Sequence, residues 1–361
     1  IVGATSWQLS KGPREAQLGD PAVGFRLGSP LVPSGTFAGR PGVMVAEACE
    51  YNRSFHNYRP TIASISSVEA DHLDVYGSLD EVVKSFAEFA RLVPPASEGG
   101  RLLIGHEGAH RREITGGLDC RVETIGFNPE ADWVVGYDGA TRAVKLSREG
   151  RVLAAWNNKT FGAHNATNAA TAVVIAHWLG ADPAAAATSL AEFRGIDRRM
   201  QHLGDRPHPR GGSVRVYDDY GHHPTEIEVT LRALREAERP QDRGGRLICV
   251  FQPHQHSRTR HLMEEFASAF SEADVVIVPH IYFVRDSAEE RQKVSAGDLV
   301  DRLRSRGVNA MHLYPFEAIV ECLQNICQPN DVLVVMGAGT VYEVAHGYLG
   351  AGRSAPGAST H

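Results

Sequence analysis

Lysine is scarce in this chain of 361 residues, since only five of its 37 basic residues are Lys. The five lie at positions 11, 84, 145, 159 and 293, and none of them follows a glycine. Phosphate-binding loops of the type GxxxxGK[ST] depend on that Gly-Lys pair, because backbone N–H groups cradle the phosphate and the Lys neutralises its charge. The sequence therefore contains no segment of this type.

Paired cysteines, an excess of basic residues and long apolar runs are also missing. The five Cys form no CxxC pair, which favours free thiols in a reducing cytosol over a disulfide framework. The net charge of −6 offers no broad basic field for nucleic acid or anionic lipid. The longest apolar stretch, 169–178, is too short to span a membrane, and the first residues do not resemble a signal peptide. These absences predict a soluble cytoplasmic protein with no nucleic-acid and no membrane partner.

Length and composition predict more than one folded domain. At roughly 150 residues per domain, the chain makes two or three domains. In the second half, short Val/Ile/Leu runs alternate with amphipathic stretches; the runs lie at 213–219, 246–253, 273–279, 309–315 and 331–339. This alternation predicts an α/β domain, which is a parallel sheet with helices on both faces.

The first half has a mixed pattern. Buried strands are predicted at 43–48, 61–68 and 102–107, a helix at 79–92, and an antiparallel meander at 132–156. Two helices follow, the second with Asp182 as N-cap and Pro183 at its first position. We expect a first α/β domain over 1–194, mainly a parallel sheet with the small meander, and a second over 195–361.

Two acidic clusters follow neighbouring predicted strands in the first half, at 47–50 and 69–74. Open α/β sheets place ligands where their strands end, so these carboxylates and His72 could converge on a divalent cation. A carboxylate-rich set suits Mg²⁺ or Mn²⁺ beside phosphate oxygens better than Zn²⁺. Solvated acidic loops, with Asp71 capping a turn, are the alternative.

Three further clusters combine amides, imidazoles and cations near the starts of predicted helices. Segment 162–168 carries Asn165 and Asn168 three residues apart, where both amides can read a purine edge unless Asn165 only caps the helix. Segment 218–226 has two acids, a Tyr and two His between a strand and a helix, and a plain capped turn is the alternative. Segment 251–260 adds His and Arg side chains that suit a carboxylate or a phosphate.

Taken in chain order, these segments resemble the Mur ligase family of peptidoglycan synthesis. The matching stretches are EACEYNRSF (47–55), EADHLDVYGSLDEVVKSFAEFA (69–90), GAHNATNAATA (162–172), FRGIDRRM (193–200), YDDYGHHPTEI (217–227), FQPHQHSRTR (251–260) and MGAGT (336–340). They span nearly the whole chain in the family's order, and the stretches at 217–227 and 251–260 are typical of the branch that joins L-alanine to UDP-N-acetylmuramate. The resemblance implies the family's central ATP-binding domain followed by its Rossmann-like C-terminal ligase domain.

The resemblance also implies a reaction and the residues that serve it. ATP phosphorylates the muramyl carboxylate, and the amine of L-alanine then attacks the acyl phosphate, with Mg²⁺ or Mn²⁺ neutralising phosphate charge. By similarity, Glu47 and His72 are metal ligands, and Arg258 pairs with the carboxylate of alanine. The implied nucleotide-binding residues are His164, Asn165, Asn168, Arg199, Asp219 and Tyr220. The implied catalytic residues are His72, Arg199, His222, His223, His254 and Arg258.

One departure from the family pattern concerns the amino-acid side of the site. Gln255 stands where the family usually has an Arg after FQPH. One cation is therefore lost, unless Arg260 or His256 replaces it, and a charge-assisted hydrogen bond becomes a neutral one. The identity or affinity of the amino acid is the property that this change affects.

The second departure is the missing GTxGK[ST] loop, together with the family's N-terminal UDP-binding domain. One explanation is a truncated enzyme, which the joint retention of Glu47, His72, Asn165, Arg199 and Asp219 favours. The other is a divergent homologue that binds a nucleotide or a peptidoglycan precursor without catalysis. A ligase that recycles murein tripeptides is a further alternative. We expect little or no turnover from this chain alone, because the charge of the loop Lys is not easily replaced.

Overall fold

A computed structural model describes residues 30–32 and 38–350 of the chain. The chain divides into two compact units, Ile1–Asp197 and Arg198–His361; the sequence prediction set the boundary between residues 194 and 195. Within the described residues, no helix has both the length and the apolar character needed to cross a membrane. All five cysteines are free thiols.

The first unit is built on a six-stranded mixed sheet whose strands lie side by side in chain order. They are β1 (Ile62–Ile65), β2 (Arg101–Gly105), β3 (Arg121–Gly126), β4 (Trp133–Asp138), β5 (Ala143–Arg148) and β6 (Arg151–Asn157). Strands β1 to β4 pair in parallel, whereas β4, β5 and β6 form an antiparallel meander. The meander lies where the alternation at 132–156 predicts it, because antiparallel strands need only tight turns between them.

Helices cover both faces of this sheet. They are α1 (Leu73–Tyr76), α2 (Leu79–Ala90), α3 (Arg111–Thr115), α4 (Ala163–Trp178) and α5 (Pro183–Ala191), with 3-10 segments at Tyr51–Asn57 and Ala96–Glu98. Side chains of β2 alternate between two cores, Leu103 in one and Leu102 in the other, as expected for a strand buried on both faces. Asp182 caps α5 by accepting a hydrogen bond from the backbone N–H of Ala185, as its position before Pro183 predicts.

One strand prediction for the first unit is wrong, and one strand of its sheet was not predicted. The run at 43–48 is irregular, and Met44 and Val45 are 79% and 61% exposed, so its apolar residues do not form a buried strand. Strand β3 was not predicted, because its sequence RVETIG places a glutamate at the centre. That glutamate, Glu123, is buried and paired with Trp133 and Arg121, which are contacts that a local pattern does not reveal.

The second unit contains another six-stranded sheet, in the order β11-β10-β9-β12-β8-β7. Its strands are β7 (Gln201–Pro207), β8 (Ser213–Asp219), β9 (Leu247–Phe251), β10 (Val275–Val278), β11 (Ala310–His312) and β12 (Val332–Met336). Every neighbouring pair is parallel except β7 with β8. Strand β12 returns between β9 and β8, and the carboxyl ends of these three strands form a topological switch point, where open α/β sheets bind ligands.

Seven helices within the described residues complete the second unit. They are α6 (Pro224–Glu238), α7 (His256–His261), α8 (Met263–Ser268), α9 (Ala288–Lys293), α10 (Ala296–Ser305), α11 (Phe316–Ile326) and α12 (Tyr342–Leu349), and a 3-10 segment spans Pro240–Arg243. The predicted fold class, two α/β units with the second Rossmann-like, is confirmed. The prediction of a purely parallel second sheet is wrong at β7, which is an antiparallel edge strand. Gly204 and Pro207 are unfavourable in strand interiors, so the sequence of β7 does not show a strand pattern.

Candidate functional site

Three predicted ligand side chains of the first unit lie close together, one from the segment before β1 and two from the segment after it. Nε2 of His72 lies 3.2 Å from Oε1 of Glu50 and 3.7 Å from Oδ2 of Asp71. We call these three residues the His72 cluster. Among the described residues it is the group in which three side chains of metal-binding type lie close enough to hold one ion. The hydrogen bond from His72 is the largest influence on the pKa of Glu50, and it lowers that pKa although burial opposes it.

Local backbone geometry holds the His72 cluster in place. His72 precedes α1 in the left-handed conformation, with φ of 51°, which is uncommon for a residue other than glycine. The hydroxyl of Tyr76, at the end of α1, donates to the backbone carbonyl of Glu50 over 2.5 Å. The ring of Tyr51 also contacts the His72 ring edge-on, at 5.1 Å between centroids. Such left-handed residues persist where surrounding contacts hold them, often at functional sites.

Glu47, the other ligand that the family resemblance implies, is not part of the His72 cluster. It lies exposed in the irregular segment before the Tyr51–Asn57 turn. The residues that are present fit a divalent cation, since two carboxylates and an imidazole face one another and Nδ1 of His72 is buried without a hydrogen-bond partner within the described chain. Oxygen-rich ligand sets of this kind suit Mg²⁺ or Mn²⁺.

The predicted nucleotide-facing amides of the first unit open helix α4. Gly162, with φ of 89°, is the N-cap residue, and its N–H donates to the hydroxyl of Tyr137. The side chain of Asn165 donates to the carbonyl of Phe161 over 2.8 Å, so this amide also orders the helix start. His164 is partly buried, whereas Asn168 is exposed one turn along the helix. The alternative that Asn165 is the N-cap is therefore wrong, and the purine contact stays a prediction.

In the second unit, Arg198 links the ends of two strands at the switch point. Its Nε lies 3.2 Å from Oδ2 of buried Asp218, and its Nη2 donates to the carbonyls of Gly337 and Gly339 in the turn after β12. The guanidinium also lies 5.0 Å from the ring centre of Tyr220. Arg198 was not among the predicted site residues, although the stretch 193–200 contains it, because nothing in that stretch indicates which of its arginines reaches the sheet.

Asp219 and Arg199 differ in their surroundings. Both carboxylate oxygens of buried Asp219 accept backbone hydrogen bonds of 2.7 Å, from Met200 and Gly221. Burial raises the pKa of Asp219 to about 6, although these two amides act in the opposite direction. Arg199 is more exposed and lies 3.3 Å from Glu226, beside the half-exposed ring of Tyr220. Asp219 therefore ties the 198–200 segment to the 219–221 turn, and its implied contact with the nucleotide stays a prediction.

The two adjacent histidines at the start of α6 have different roles. His223 is the N-cap residue, and its Nδ1 accepts from the backbone N–H of Thr225, while the side chain of Glu226 accepts from the backbone of both histidines. Nδ1 of His222 lies 3.1 Å from the carbonyl of Tyr220 and 3.5 Å from Oε2 of Glu226. The capped turn is therefore present, but it uses His223 and leaves His222 with separate contacts.

His254 and Arg258, from the segment after β9, lie beside His222. The rings of His222 and His254 are 5.5 Å apart, and Nη1 of Arg258 lies 3.2 Å from Nδ1 of His254. Tyr282 stacks on the other side of His254 at 5.7 Å. Burial, with the nearby positive groups, lowers the pKa of His254 to about 3, so this imidazole is neutral at pH 7. Tyr282 was missed because its segment carries no motif.

The substitution at Gln255 leaves a buried residue whose backbone orders the loop. Gln255 has φ of 68°, its N–H donates to the carbonyl of Tyr282, and its carbonyl accepts from Thr259. Arg260 pairs with Glu290 at 3.0 Å, and Nδ1 of His256 lies 3.6 Å from Oδ2 of Asp286. Both proposed replacements for the lost cation therefore have acidic partners of their own.

Comparisons with known proteins agree with both units. Residues 38–176 match the Mur ligase middle domain, and residues 198–339 match the domain described as Mur ligase, glutamate ligase domain. The chain is 37% identical over 309 residues to a UDP-N-acetylmuramate–L-alanine ligase of Agathobacter rectalis, covering 84% of this chain and 64% of that protein. It is 33% identical to the enzyme of that name from Desulfitobacterium hafniense, covering 90% of this chain and 70% of that one. The chain thus spans about two thirds of the length of these curated relatives.

Solved structures show the same fold. The UDP-N-acetylmuramate–alanine ligase MurC of Thermotoga maritima matches with a TM-score of 0.63 at 23% identity, covering 89% of this chain and 66% of that one. MurF of Acinetobacter baumannii matches with a TM-score of 0.63 at 14% identity, covering 82% and 62%. The relatives named above are L-alanine ligases. The three alternatives from the sequence, a non-catalytic homologue, a tripeptide-recycling ligase and an inactive chain, are therefore not borne out.

Proposed function

The chain belongs to the Mur ligase family, and on that premise we propose that it serves the ATP-dependent ligation of L-alanine to UDP-N-acetylmuramate. The relatives of 33–37% identity that carry this name support the choice of substrates. The observation that carries the proposal is the group of His222, His254 and Arg258 at the switch point of the second sheet. The cation of Arg258 suits the carboxylate of an amino acid, and the two imidazoles beside it suit hydrogen bonds with the amine.

We assign amino-acid recognition to Arg258. Its guanidinium is almost fully buried, so an ion pair with the carboxylate of alanine would form away from bulk water. A planar guanidinium can bind a carboxylate through two parallel hydrogen bonds, which fixes the position of the amine as well as of the acid. We assign nucleotide recognition in the first unit to His164, Asn165 and Asn168 at the start of α4.

We assign the divalent cation to the His72 cluster, with Glu50 and Asp71 as carboxylate ligands beside His72. A bound Mg²⁺ or Mn²⁺ would neutralise charge on the transferring phosphoryl group. The protein's own contribution is to hold these carboxylates together, which the Tyr76 hydroxyl and the left-handed turn at His72 support. ATP as phosphoryl donor and a reducing cytoplasmic location, consistent with the free thiols, complete the proposal.

A product assay tests the proposed function. The chain is incubated with ATP, Mg²⁺, UDP-N-acetylmuramate and L-alanine, and the alanyl product is identified by mass spectrometry while ADP release is followed. We expect ADP release to require all four components. ADP release that does not depend on L-alanine, or a product from murein tripeptide but not from L-alanine, contradicts the proposal.

A matched pair of arginine variants tests the assignment of Arg258. Arg258→Met removes a buried cation, and hydrogen bonds to charged groups are worth about 1.5–3 kcal/mol, so the KM for L-alanine is expected to rise by about 10- to 100-fold. Arg260→Met removes a neighbouring cation that pairs with Glu290 on the surface, and the KM is expected to stay unchanged. Equal effects of the two variants would show that Arg258 has no special part in binding.

A further inference from the structure

His222 and His254 carry their protons on different ring nitrogens, as their hydrogen-bond partners determine. The two rings lie 5.5 Å apart at an angle of 62°, where β8 and β9 end. A neutral imidazole has one N–H donor and one lone-pair acceptor, and the neighbours of one nitrogen decide which nitrogen is which. The contacts of Nδ1 in each ring therefore reveal what its Nε2 can do.

Nδ1 of His254 acts as an acceptor. It lies 3.2 Å from Nη1 of Arg258, and a guanidinium has only donors. The proton of the neutral ring is therefore on Nε2. Because burial and the nearby positive groups lower the pKa of His254 to about 3, this ring stays neutral and its Nε2–H is a hydrogen-bond donor rather than a base.

Nδ1 of His222 acts as a donor. It lies 3.1 Å from the backbone carbonyl of Tyr220 and 3.5 Å from Oε2 of Glu226, and neither an amide carbonyl nor a carboxylate can donate. The lone pair of the neutral ring is therefore on Nε2. A carboxylate beside the opposite nitrogen also stabilises the imidazolium that forms when Nε2 takes up a proton.

Glu226 is held in the ionised form that this pairing needs. Burial acts to raise its pKa, but His222 in its protonated form, Arg199 and the backbone N–H groups of His222 and His223 together lower it. His223 does not compete for the role of His222, because its Nδ1 accepts from Thr225 and caps helix α6.

We infer, on the basis of the proposed ligase function, that His222 is the catalytic base that deprotonates the incoming amine and that neutral His254 donates a hydrogen bond to the reacting oxygen. Alanine arrives as an ammonium, and Nε2 of His222 takes one proton. The free nitrogen lone pair then forms the C–N bond to the acyl carbon, and the carbonyl π electrons move to oxygen. When the tetrahedral intermediate collapses, the C–O bond to phosphate breaks, and the departing phosphate takes the second proton from nitrogen.

Proton uptake by His222 depends on groups from each element around it. Glu226 of α6 favours the charged ring, as does the carbonyl of Tyr220 after β8. His254 after β9 faces the ring directly, with the Arg258 cation of α7 behind it. Arg199, which binds Glu226 at 3.3 Å, weakens the field of that carboxylate at His222.

Nitrogen-15 NMR of the imidazole rings tests the proton positions without any turnover. Histidine labelled in the ring is incorporated into the chain, and the two sets of signals are assigned by their loss in His222→Gln and His254→Gln. At pH 7 we expect His222 protonated on Nδ1 and His254 protonated on Nε2, with His254 still neutral at pH 5. A proton on Nε2 of neutral His222, or on Nδ1 of His254, overturns the inference.

A matched pair of variants identifies the cause of the proton position in His254. Arg258→Met removes the donor to His254, so we expect that ring to distribute its proton over both nitrogens. Arg260→Met keeps Arg258 in place and should leave the spectrum unchanged. If the Arg258→Met and Arg260→Met proteins give the same His254 signals as the wild type, the assigned role of Arg258 is wrong.

Steady-state kinetics test the catalytic role. General base catalysis contributes about 10²- to 10⁴-fold, so His222→Gln is expected to lower kcat by about 100-fold or more while the KM for L-alanine changes little. The acidic limb of the kcat–pH profile should disappear with it. His254→Gln keeps a donor and should retain that limb. The opposite pattern overturns the inference, whereas failure of the wild-type chain to form alanyl product refutes the ligase proposal and leaves the NMR result to decide the proton positions.

Discussion

Replacement of Glu123 is expected to destabilise the first unit strongly. This carboxylate is 3% exposed, accepts from Nε1 of Trp133 over 2.6 Å, and lies within 4.0 Å of guanidinium nitrogens of three arginines. Those arginines are Arg101, Arg121 and Arg148. Burial and the charge of Arg121 lower the pKa of Arg101, so the three cations depend on the one anion among them.

The size of the effect follows from what Glu123→Ala leaves behind. Removing one partner of a buried charge pair costs about 3–5 kcal/mol. Here the cost comes mainly from Arg101 and Arg148, whose side chains are 17% and 25% exposed and would lose their buried counter-charge, whereas Arg121 is 51% exposed and is screened by water. Part of that loss, about 1–3 kcal/mol, belongs to the Trp133 indole, which is fully buried and would lack an acceptor. Glu123→Gln keeps an acceptor for the indole and should therefore cost less than Glu123→Ala.

Tryptophan fluorescence during urea unfolding measures this effect. Trp133, Trp156 and Trp178 are buried in the first unit, so their emission follows its unfolding, while the fourth, Trp7, lies outside the described residues. The control is Glu149→Ala, since Glu149 is 86% exposed although it also lies near Arg148, and it should change the free energy of unfolding by less than about 0.5 kcal/mol. A loss below about 1 kcal/mol for Glu123→Ala, or equal losses for both alanine variants, would refute the argument that buried carboxylate pairing stabilises β3.

Two further predictions concern the metal and the effect of pH. Glu50→Gln should weaken Mn²⁺ binding, measured by electron paramagnetic resonance, more than Glu47→Gln does, because Glu50 faces His72 at 3.2 Å whereas Glu47 is exposed; the reverse order would favour the ligand implied by the family. Burial raises the pKa of Asp219 from 3.8 to about 6, so its contribution to stability is complete below pH 3.8 and is lost as the pH rises through 6. Relative to Asp219→Asn, the wild type should therefore lose about 2 kcal/mol between pH 4 and pH 7. Hydrogen exchange at the amides of β12 would measure this, and a gain with rising pH would contradict it.

The strands of the second unit were largely predictable. The run 213–219 coincides with β8, and the cores of the other predicted runs form β9 to β12, because strands covered by helices on both faces consist of continuous apolar residues. Edge and polar strands were not predictable in this way. In β7, Gly204 and Pro207 are residues that strands usually exclude, and in β3 the buried Glu123 interrupts the apolar pattern.

The candidate site was predictable as a set of segments but not as a set of contacts. The stretches at 69–74, 218–226 and 251–260 each follow a strand, and parallel strands end at one edge of their sheet. In each sheet, the order of strands and polar residues along the chain therefore indicates which residues lie at the carboxyl edge of that sheet. Which of two adjacent residues faces a partner depends on backbone angles such as the left-handed turn at His72, which no spacing rule supplies.

The sequence by itself determined the family, the two α/β units and the segments that carry polar chemistry, because apolar periodicity and motif order are properties of the linear chain. Only the tertiary structure decided that Glu50 rather than Glu47 faces His72, and that His222 and His254 carry opposite tautomers while His223 caps a helix. These distinctions depend on hydrogen bonds of about 3 Å between residues from separate strands and helices. A hydrogen bond forms only when folding has set both distance and direction, so the local sequence does not reveal it.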